Sequence, residues 1–275
     1  MIKPREIYTF KDPYIAAASG LVLAHNRFYL VPDDENFIIG INKDLKASGE
    51  LYQVFPGVLP EDKKDRKKLK PDFECMLHLP DMNALLCIPS GSKKNRNRGA
   101  LVELSNHEIT EISFKHVYQE LEDLYPELNI EGAVLIGETI RLFQRGNGKL
   151  HQNAVIDLNL KKFIEDKVKD LNVKEIALGK LKGIPLSFTD ASLFNNKCYF
   201  VAVAEDSEST YADGEFVGSI LGEMSMEGEI LTTTQLDLDS KPEGLAFDEQ
   251  YFYLVTDDDD RKKPSRLFQG TLPVN

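Results

Sequence analysis

Five positions along the chain repeat one local pattern, and four of them carry a carboxylate. Each position opens a short apolar run, and the runs read SGLVLA, ECMLHL, EGAVLI, DASLF and EGLAF. The polar residues that open them are Ser19, Glu74, Glu131, Asp190 and Glu243, at spacings of 55, 57, 59 and 53 residues. Four carboxylates brought together at low dielectric repel one another unless a cation, water or added protons relieve the charge. These five residues are therefore the candidate metal ligands.

The donor set indicates which cation would bind. Ca²⁺ takes six to eight oxygen ligands in irregular geometry, which suits a ring of carboxylates and one hydroxyl. Mg²⁺ is the second choice, and the lack of His or Cys in the set argues against zinc. The alternative is a hydrated or partly protonated ring without a metal.

The repeat also predicts the fold. A period near 55 residues, filled with short β-type runs, is typical of a β-propeller. We expect an all-β chain that forms a single five-bladed propeller of four-stranded blades, with one domain over residues 1–275. Six blades are the alternative. The fifth unit has three strands of its own, so the amino-terminal segment Arg5–Phe10 is expected to supply the fourth and close the ring.

This architecture would bring the five polar residues together. The clearest unit runs from Pro242 to Ser265, where two apolar runs form a hairpin with acidic residues at both of its ends. The first strand of each blade lines the channel of a propeller, so its starting residue lies at one mouth of that channel. The turn between the second and third strands opens at the same mouth.

Three segments depart from the β pattern. Phe114–Tyr125 and Lys161–Leu171 have apolar residues at helical spacing, which predicts two short helices in loops between strands. The charge run Pro60–Lys70 is expected to be a solvated loop. The fourth strand of the third unit is placed at Glu175–Leu181.

The predicted turns supply basic side chains around the acidic ring. They contain Lys93, Lys94, Arg96, Arg98, Arg145, Lys149, His151, Arg261, Lys262 and Lys263. A cation flanked by Arg and Lys suits a phosphorylated or polycarboxylate ligand. The candidate catalytic residues are Arg145, His151 and Glu205. For most of these residues, simple solvation of a turn is the alternative.

Composition excludes several classes of function. A net charge of −12 argues against nucleic acid as a general partner. No apolar run is long enough to span a bilayer, and residues 1–15 lack a signal-peptide core. The cysteines Cys75, Cys87 and Cys198 lie in apolar runs without metal-binding spacing, which predicts buried free thiols and a cytoplasmic location. A small anionic ligand is expected, and the sequence leaves a protein partner open.

Three longer segments carry a family resemblance. They are IEGAVLIGETIRLFQRGNG, SFTDASLFNNKCYFVAVAEDSESTYADG and KPEGLAFDEQYFYLVTDDDD. They resemble an uncharacterised bacterial β-propeller family, and the last one is also similar to the phytase-like esterase and SdiA-regulated propellers. The five-residue ring is similar to the central calcium site of soluble calcium-activated nucleotidases (apyrases), which are five-bladed propellers that hydrolyse nucleoside phosphates. Asp190 departs from that pattern, where a hydroxyl residue is expected, and Thr189 beside it is a possible substitute.

Two functions follow as expectations. One is a calcium-dependent hydrolase of a phosphorylated small molecule, in which the cation polarises a phosphoryl oxygen and Arg145 offsets the developing charge. The other is a non-catalytic binding or scaffold propeller with a structural calcium. The sequence leaves the substrate and the role of the acidic run 257–260 open.

Overall fold

The computed structural model of the protein describes residues 1–168, 170–206 and 214–272, and these form five antiparallel sheets. Neighbouring strands along the chain pair in each sheet, as expected of propeller blades. The prediction of an all-β, five-bladed propeller is confirmed, and the six-bladed alternative is excluded.

The strands and helices follow in chain order. Strand β1 (Arg5–Thr9) comes first. Blade one contains β2 (Ala18–Ala24), β3 (Arg27–Pro32), β4 (Phe37–Asn42) and β5 (Glu50–Gln53). Helix α1 (Lys63–Leu69) then leads to blade two, with β6 (Phe73–Leu79), β7 (Ala84–Pro89), β8 (Arg98–Glu103) and β9 (Ile109–Ser113). Helix α2 (Lys115–Leu124) precedes blade three, with β10 (Ile130–Ile136), β11 (Thr139–Gln144), β12 (Ala154–Asn159), helix α3 (Leu160–Ile164) and β13 (Asn172–Glu175). Blade four contains β14 (Lys180–Leu181), β15 (Ile184–Phe194), β16 (Lys197–Asp206), β17 (Glu215–Met224) and β18 (Ile230–Leu236). Blade five contains β19 (Lys241–Phe247), β20 (Phe252–Asp257) and β21 (Arg266–Gly270).

The innermost strands form a closed ring. Strands β2, β6, β10, β15 and β19 each contact the next in this order, and β19 contacts β2. Strand β1 pairs antiparallel with β21, with Thr9 opposite Arg266, so the amino-terminal segment completes blade five as predicted. This pairing removes an open edge that would otherwise invite association with another chain.

Every inner strand carries a register irregularity, which lies within its first three residues in four blades and near the middle of β15 in blade four. The pairing shifts at Glu74 in β6, at Glu131 in β10 and at Glu243 in β19. It shifts across Ser19 and Gly20 in β2, and at Thr189 in β15. A bulge re-aims the side chain at that position, and here it occurs where the strands meet around the axis.

Close approach of the inner strands explains the glycine that follows the bulge glutamate in blades three and five. A Cβ atom on Gly244 would lie 2.5 Å from the carbonyl oxygen of Ser19 in the neighbouring blade. A Cβ on Gly132 would lie 2.9 Å from the backbone nitrogen of Ala191. Backbone atoms cannot yield as a flexible side chain does, so the repeat keeps a small residue at these positions.

The core lies between the blades rather than within them. Between blades three and four, for example, Phe143 packs edge-on against Phe188, which packs edge-on against Phe200. All three rings are fully buried. Cys75, Cys87 and Cys198 are buried free thiols, as predicted. No helix in the described ranges is long and apolar enough to cross a membrane.

Two expectations about the segments outside the blades need correction. The charge run Pro60–Lys70 is not a loop throughout, because Lys63–Leu69 forms α1. Asp62 caps this helix by accepting the Asp65 N–H at 3.0 Å, and its last turn is basic, which complements the helix dipole. The helix predicted at Phe114–Tyr125 is confirmed as α2, whereas that at Lys161–Leu171 is reduced to α3 and is followed by Asp166 with a left-handed φ of 53°.

The strand predicted at Glu175–Leu181 is also wrong in its placement. Asn172–Glu175 forms the outer strand of blade three, and Lys180–Leu181 pairs with Ile184–Pro185 in blade four. Outer edge strands face solvent on one side, so their sequence carries little apolar signal.

Candidate functional site

A polar cavity of about 280 Å³ lies at the end of the channel where the inner strands begin. Ionisable side chains dominate its wall. Within the part of the chain that the structure describes, the carboxylates are Asp33, Asp72, Glu74, Glu127, Glu131, Glu205, Glu243, Asp257 and Asp259. The basic side chains are Lys67, Lys70, Arg96, Arg145 and Lys241. Acidic groups therefore outnumber basic ones in the cavity.

One wall of the cavity gathers three carboxylates from two blades. Oxygens of Asp33, Asp72 and Glu74 lie within 4.8 Å of one another. The Ser19 hydroxyl donates a hydrogen bond of 2.9 Å to Oε2 of Glu74. We name these four residues the acidic wall. Carboxylate and hydroxyl oxygens at this separation are the donor set of a hard divalent cation.

Two basic side chains adjoin the acidic wall. Lys70 forms ion pairs with Asp33 and, at 2.8 Å, with Oδ1 of Asp72. Nη1 of Arg96 lies 2.6 Å from Oδ2 of Asp72 and 2.6 Å from the Ser92 hydroxyl. Burial acts to raise the pKa of Asp72, but the charges of Lys70 and Arg96 outweigh it and lower that pKa. Asp72 is therefore held ionised.

Glu74 lacks a comparable counter-charge. Burial raises its pKa well above the usual range, and the charges of Glu131, Asp72 and Asp33 add to the rise. A carboxylate in this state releases its proton when a cation binds next to it, because the positive charge stabilises the ionised form.

The opposite wall is an alternating network of acids and bases. Nη1 of Arg145 lies 3.1 Å from Oε1 of Glu131 and 3.7 Å from Oε1 of Glu243, and Nη2 pairs with Glu205. Nζ of Lys241 lies 2.9 Å from Oε1 of Glu243, 3.4 Å from Glu205 and 2.8 Å from Asp259. We call this set the ion-pair wall. Arg145 and Lys241 supply positive charge where the sequence suggested a metal.

The pKa values on the ion-pair wall follow from burial and these charges. Burial raises the pKa of Glu131 to about 8, against the opposing charge of Arg145. Burial also raises the pKa of Glu243, whereas the charges of Arg145 and Lys241 lower that of Glu205 despite its burial. Burial alone would lower the pKa of Arg145, but the neighbouring carboxylates hold it well above its usual range.

Several buried polar atoms of the cavity have no hydrogen-bond partner among the described residues. They are Oε2 of Glu131, Oε2 of Glu243, Nε of Arg145, Nε and Nη2 of Arg96, and Oδ1 of Asn147. A buried polar atom without a partner carries a free-energy cost, which a bound ligand or ordered water removes. The cavity thus presents unused donors and acceptors together.

The five residues predicted as a ring take two different positions. Ser19, Glu74, Glu131 and Glu243 occupy the bulges and line the cavity. In blade four the bulge residue is Thr189, whose hydroxyl donates a hydrogen bond of 2.7 Å to the carbonyl oxygen of Pro242. Asp190 is buried one residue further, where its carboxylate accepts the N–H groups of Ala191 and Leu245, each at 2.7 Å. Its contacts are therefore those of a residue that joins inner strands.

The candidate catalytic residues also separate. Arg145 and Glu205 line the cavity and pair with each other, whereas the His151 side chain is exposed in the loop before β12 and does not line it. Of the other rim residues, Arg96 reaches the cavity, Arg98 pairs with Glu111 at the surface, and Arg261 pairs with Asp34.

Sequence reasoning missed three of the residues that define the cavity. These residues are Asp72, Asn129 and Lys241, and each lies two positions before a bulge glutamate. The side-chain amide of Asn129 donates a hydrogen bond of 2.6 Å to Oε1 of Glu131. A search of the repeat for polar residues at that offset would have found them. Asp33 lies between β3 and β4, in one of the turns that the repeat predicts at this mouth of the channel.

The acidic run at the end of β20 divides between two roles. Asp257 and Asp259 line the cavity, and Asp259 pairs with Lys241. Asp260 accepts the N–H of Lys262 at 3.0 Å and so stabilises a turn.

The fold and the cavity define a five-bladed β-propeller with an ionisable central pocket. The chain belongs to the family of unknown function DUF6929, whose model matches residues 14–272. No curated protein matches it in sequence.

Solved structures with similar folds share little sequence with the chain. Glutaminyl cyclase of Myxococcus xanthus is 10% identical, with a TM-score of 0.56, over 99% of this chain and 98% of that one. A streptogramin B lyase is 10% identical, with a TM-score of 0.44, over 100% of this chain and 88% of that one. At such low identity the comparison with the cyclase supports the propeller fold alone.

Proposed function

We propose that the central cavity binds a divalent cation together with a phosphorylated small molecule. The observation that carries the proposal is the acidic wall, where oxygens of Asp33, Asp72 and Glu74 lie within 4.8 Å of one another in a cavity that also contains Arg96. Ca²⁺ is the preferred ion because it accepts several carboxylates in irregular geometry, and Mg²⁺ is second. The cavity wall contains no His or Cys among the described residues, which disfavours zinc.

Arg96 is the candidate for the anionic group of the ligand. The residue is 7% exposed, and its Nη1 atom is held by Asp72 and Ser92. Nε and Nη2 have no partner in the described ranges, so one edge of the guanidinium is available. That edge offers two parallel N–H groups, the geometry that binds a phosphate through two oxygens.

Hydrolysis of the phosphoester is a second candidate, and Glu131 favours it. Its pKa of about 8 keeps the carboxyl largely protonated at neutral pH, which is what a general acid requires. A bound cation would polarise a phosphoryl oxygen, and Arg145 would offset charge as it develops. The rival is a scaffold in which the cation only strengthens the contacts between blades.

The location proposed for the protein is the cytoplasm. Its support is the set of three buried free thiols, since a reducing compartment leaves thiols unpaired.

The first test is cation binding followed by unfolding. Titration calorimetry with Ca²⁺ and then Mg²⁺ should detect binding to the wild type, and Ca²⁺ should restore a melting temperature lowered by a chelator. At a hundredfold excess over Kd the gain is about 2.7 kcal/mol, which corresponds to several degrees. Glu74→Gln should lose this response, whereas Glu111→Gln at the surface should retain it.

The outcomes separate the candidates. Ca²⁺ binding without binding of inorganic phosphate would support the scaffold. Binding of both, with release of phosphate from a generic phosphomonoester, would support the hydrolase. No Ca²⁺ or Mg²⁺ response in the wild type would contradict the proposal.

A further inference from the structure

The ion-pair wall contains two glutamates that are each tied down by one oxygen only. Oε1 of Glu131 accepts from Asn129 at 2.6 Å and from Arg145 at 3.1 Å, and Oε1 of Glu243 lies 2.9 Å from Lys241. Their Oε2 atoms have no partner in the described part of the chain. The residues are 2% and 4% exposed. Both side chains are thus oriented by the protein and present one free oxygen each, which can accept a hydrogen bond and, where the carboxyl is protonated, can also donate one.

A donor and a third acceptor accompany them. Nε of Arg145 also lacks a described partner, although its side chain is only 6% exposed. Oδ1 of Asn147 is buried and also has no hydrogen-bond partner among the described residues. Arg145 and Asn147 both line the cavity. Together these atoms form a subsite of three oxygens and one N–H donor, which we call the glutamate subsite.

The charges around the subsite restrict what can occupy it. A primary amine would meet the repulsion of Arg145 and Lys241, and it would leave Nε of Arg145 without an acceptor because an ammonium only donates. A second anionic group would face Glu131 and Glu243. A hydroxyl group suits both atom types because it donates one hydrogen bond and accepts others. Neighbouring hydroxyls would satisfy the acceptors and the donor together.

We propose that the part of the ligand beyond its phosphate is a polyhydroxylated group, a polyol or a monosaccharide, whose hydroxyls bind Glu131, Glu243 and Arg145. The inference rests on the proposed function for the phosphate end, with Arg96 and the cation at the acidic wall. The cavity of about 280 Å³ is at the small end of ligand pockets, which suits a single sugar or a short polyol phosphate.

Three small phosphate monoesters test the inference on the full chain in Ca²⁺. Methyl phosphate carries the anion alone, glycerol phosphate adds hydroxyls, and ethanolamine phosphate adds an amine. Calorimetry should show that glycerol phosphate binds at least about tenfold more tightly than methyl phosphate, because hydrogen bonds to buried charged groups are strong. Ethanolamine phosphate should bind no more tightly than methyl phosphate.

Variants locate the effect. Glu243→Gln should reduce the affinity for glycerol phosphate about tenfold and leave that for methyl phosphate nearly unchanged. Asn147→Ala, in a half-buried loop, keeps the ion pairs intact and should give a smaller loss in the same direction. Circular dichroism and the melting temperature check that each variant is folded. If Glu243→Gln does not fold, Asn147→Ala still tests the subsite.

Each result has one meaning. Equal affinity for methyl and glycerol phosphate would overturn the polyol inference and leave the proposed function standing. Preference for ethanolamine phosphate would overturn it in favour of an amine. If methyl phosphate does not bind, the proposed function fails. Free glycerol and glucose then test the subsite alone: binding that is lost in Glu243→Gln supports it, and no binding overturns it.

Discussion

The carboxylate of Asp190 in blade four accepts the backbone N–H of Leu245 in blade five at 2.7 Å. Its second oxygen accepts the N–H of Ala191, also at 2.7 Å, and the N–H of Leu21 in blade one adds a third backbone contact. One buried side chain thereby holds three inner strands in position. Asp190 had been expected among the metal ligands, and its observed contacts are those of a joint in the ring.

Replacement of Asp190 by alanine should destabilise the fold. It would leave at least two buried N–H groups without acceptors, at about 1–3 kcal/mol each. We expect urea unfolding to show a loss of about 3–5 kcal/mol. Asp237→Ala at the surface is the control and should cost less than about 1 kcal/mol. A loss for Asp190→Ala no larger than for Asp237→Ala would show that the backbone N–H groups do not depend on this carboxylate.

Replacement of Gly244 by alanine should strain the ring at the contact with blade one. The added Cβ would lie 2.5 Å from the carbonyl oxygen of Ser19 and 2.8 Å from Cβ of Leu21. Overpacking against backbone costs about 1–3 kcal/mol. Gly137→Ala is the comparison, because its Cβ meets open space and only its φ of 59° is unfavourable, at about 1 kcal/mol. The prediction fails if thermal unfolding shows the smaller loss for Gly244→Ala.

Replacement of Lys241 by methionine should make the protein more dependent on added cations. The side chain pairs with Glu243, Glu205 and Asp259, so its loss removes one of the two positive charges beside the buried Glu243 and Glu205, at about 3–5 kcal/mol. Ca²⁺ should recover part of the lost melting temperature and should raise that of the variant more than that of the wild type. Lys197→Met, which removes a half-exposed pair with Glu223, should show no such extra response.

Asp248 should contribute to stability at neutral pH and lose that contribution in acid. Burial would raise its pKa, but bonds from Lys43, Tyr253 and the N–H groups of Gln250 and Tyr251 lower the pKa to about 2. The folded-state pKa is below the unfolded value of 3.8, so the contribution is complete above about pH 4 and is lost as the pH falls toward 2.

The expected size of that contribution is about 1–2 kcal/mol, since solvent screens a partly exposed group. Asp248→Asn should therefore be less stable than the wild type at pH 7, and the difference should shrink as the pH approaches 2. Asp44→Asn at the surface serves as the control. A difference that is constant from pH 7 to pH 2 would contradict the assignment.

The blade repeat was predictable because steric contact between inner strands leaves a mark on the sequence. Gly132 and Gly244 follow their glutamates because a neighbouring backbone lies within 3 Å of where a Cβ would be. A short apolar run at the start of each unit recurs five times, so the spacing of these runs indicates five units. The strand pairing of the amino-terminal segment followed from the missing strand in blade five.

The chemistry of the cavity was predictable only in part. Glu74, Glu131 and Glu243 were found by their alignment, but the contacts of Arg145 with Glu243 and Glu205, and of Lys241 with Glu205, join different blades that no spacing relates. In blade four the bulge moved the equivalent position by one residue, to Thr189. A bulge depends on pairing between strands, which a single strand does not encode.

Helix α1 shows a different limit. Lys63–Leu69 has no buried residue, so it lacks the amphipathic pattern by which helices are detected. Its support is local: the cap at Asp62, and Arg66, which donates to the carbonyl oxygens of Pro60 at 2.8 Å and Asp34 at 3.0 Å. The contact with Asp34 joins α1 to the turn after β3, so it cannot be predicted before the position of that turn is known.

The pairing of β1 with β21 has a consequence for how the protein is made. The ribosome releases β1 first, but its partner β21 follows only after four complete blades. At about 5–20 residues per second, that interval is on the order of ten seconds or more. During translation β1 therefore remains unpaired until β21 has been synthesised. The cavity, which is lined by residues from all five blades, can form only after the last blade has been synthesised.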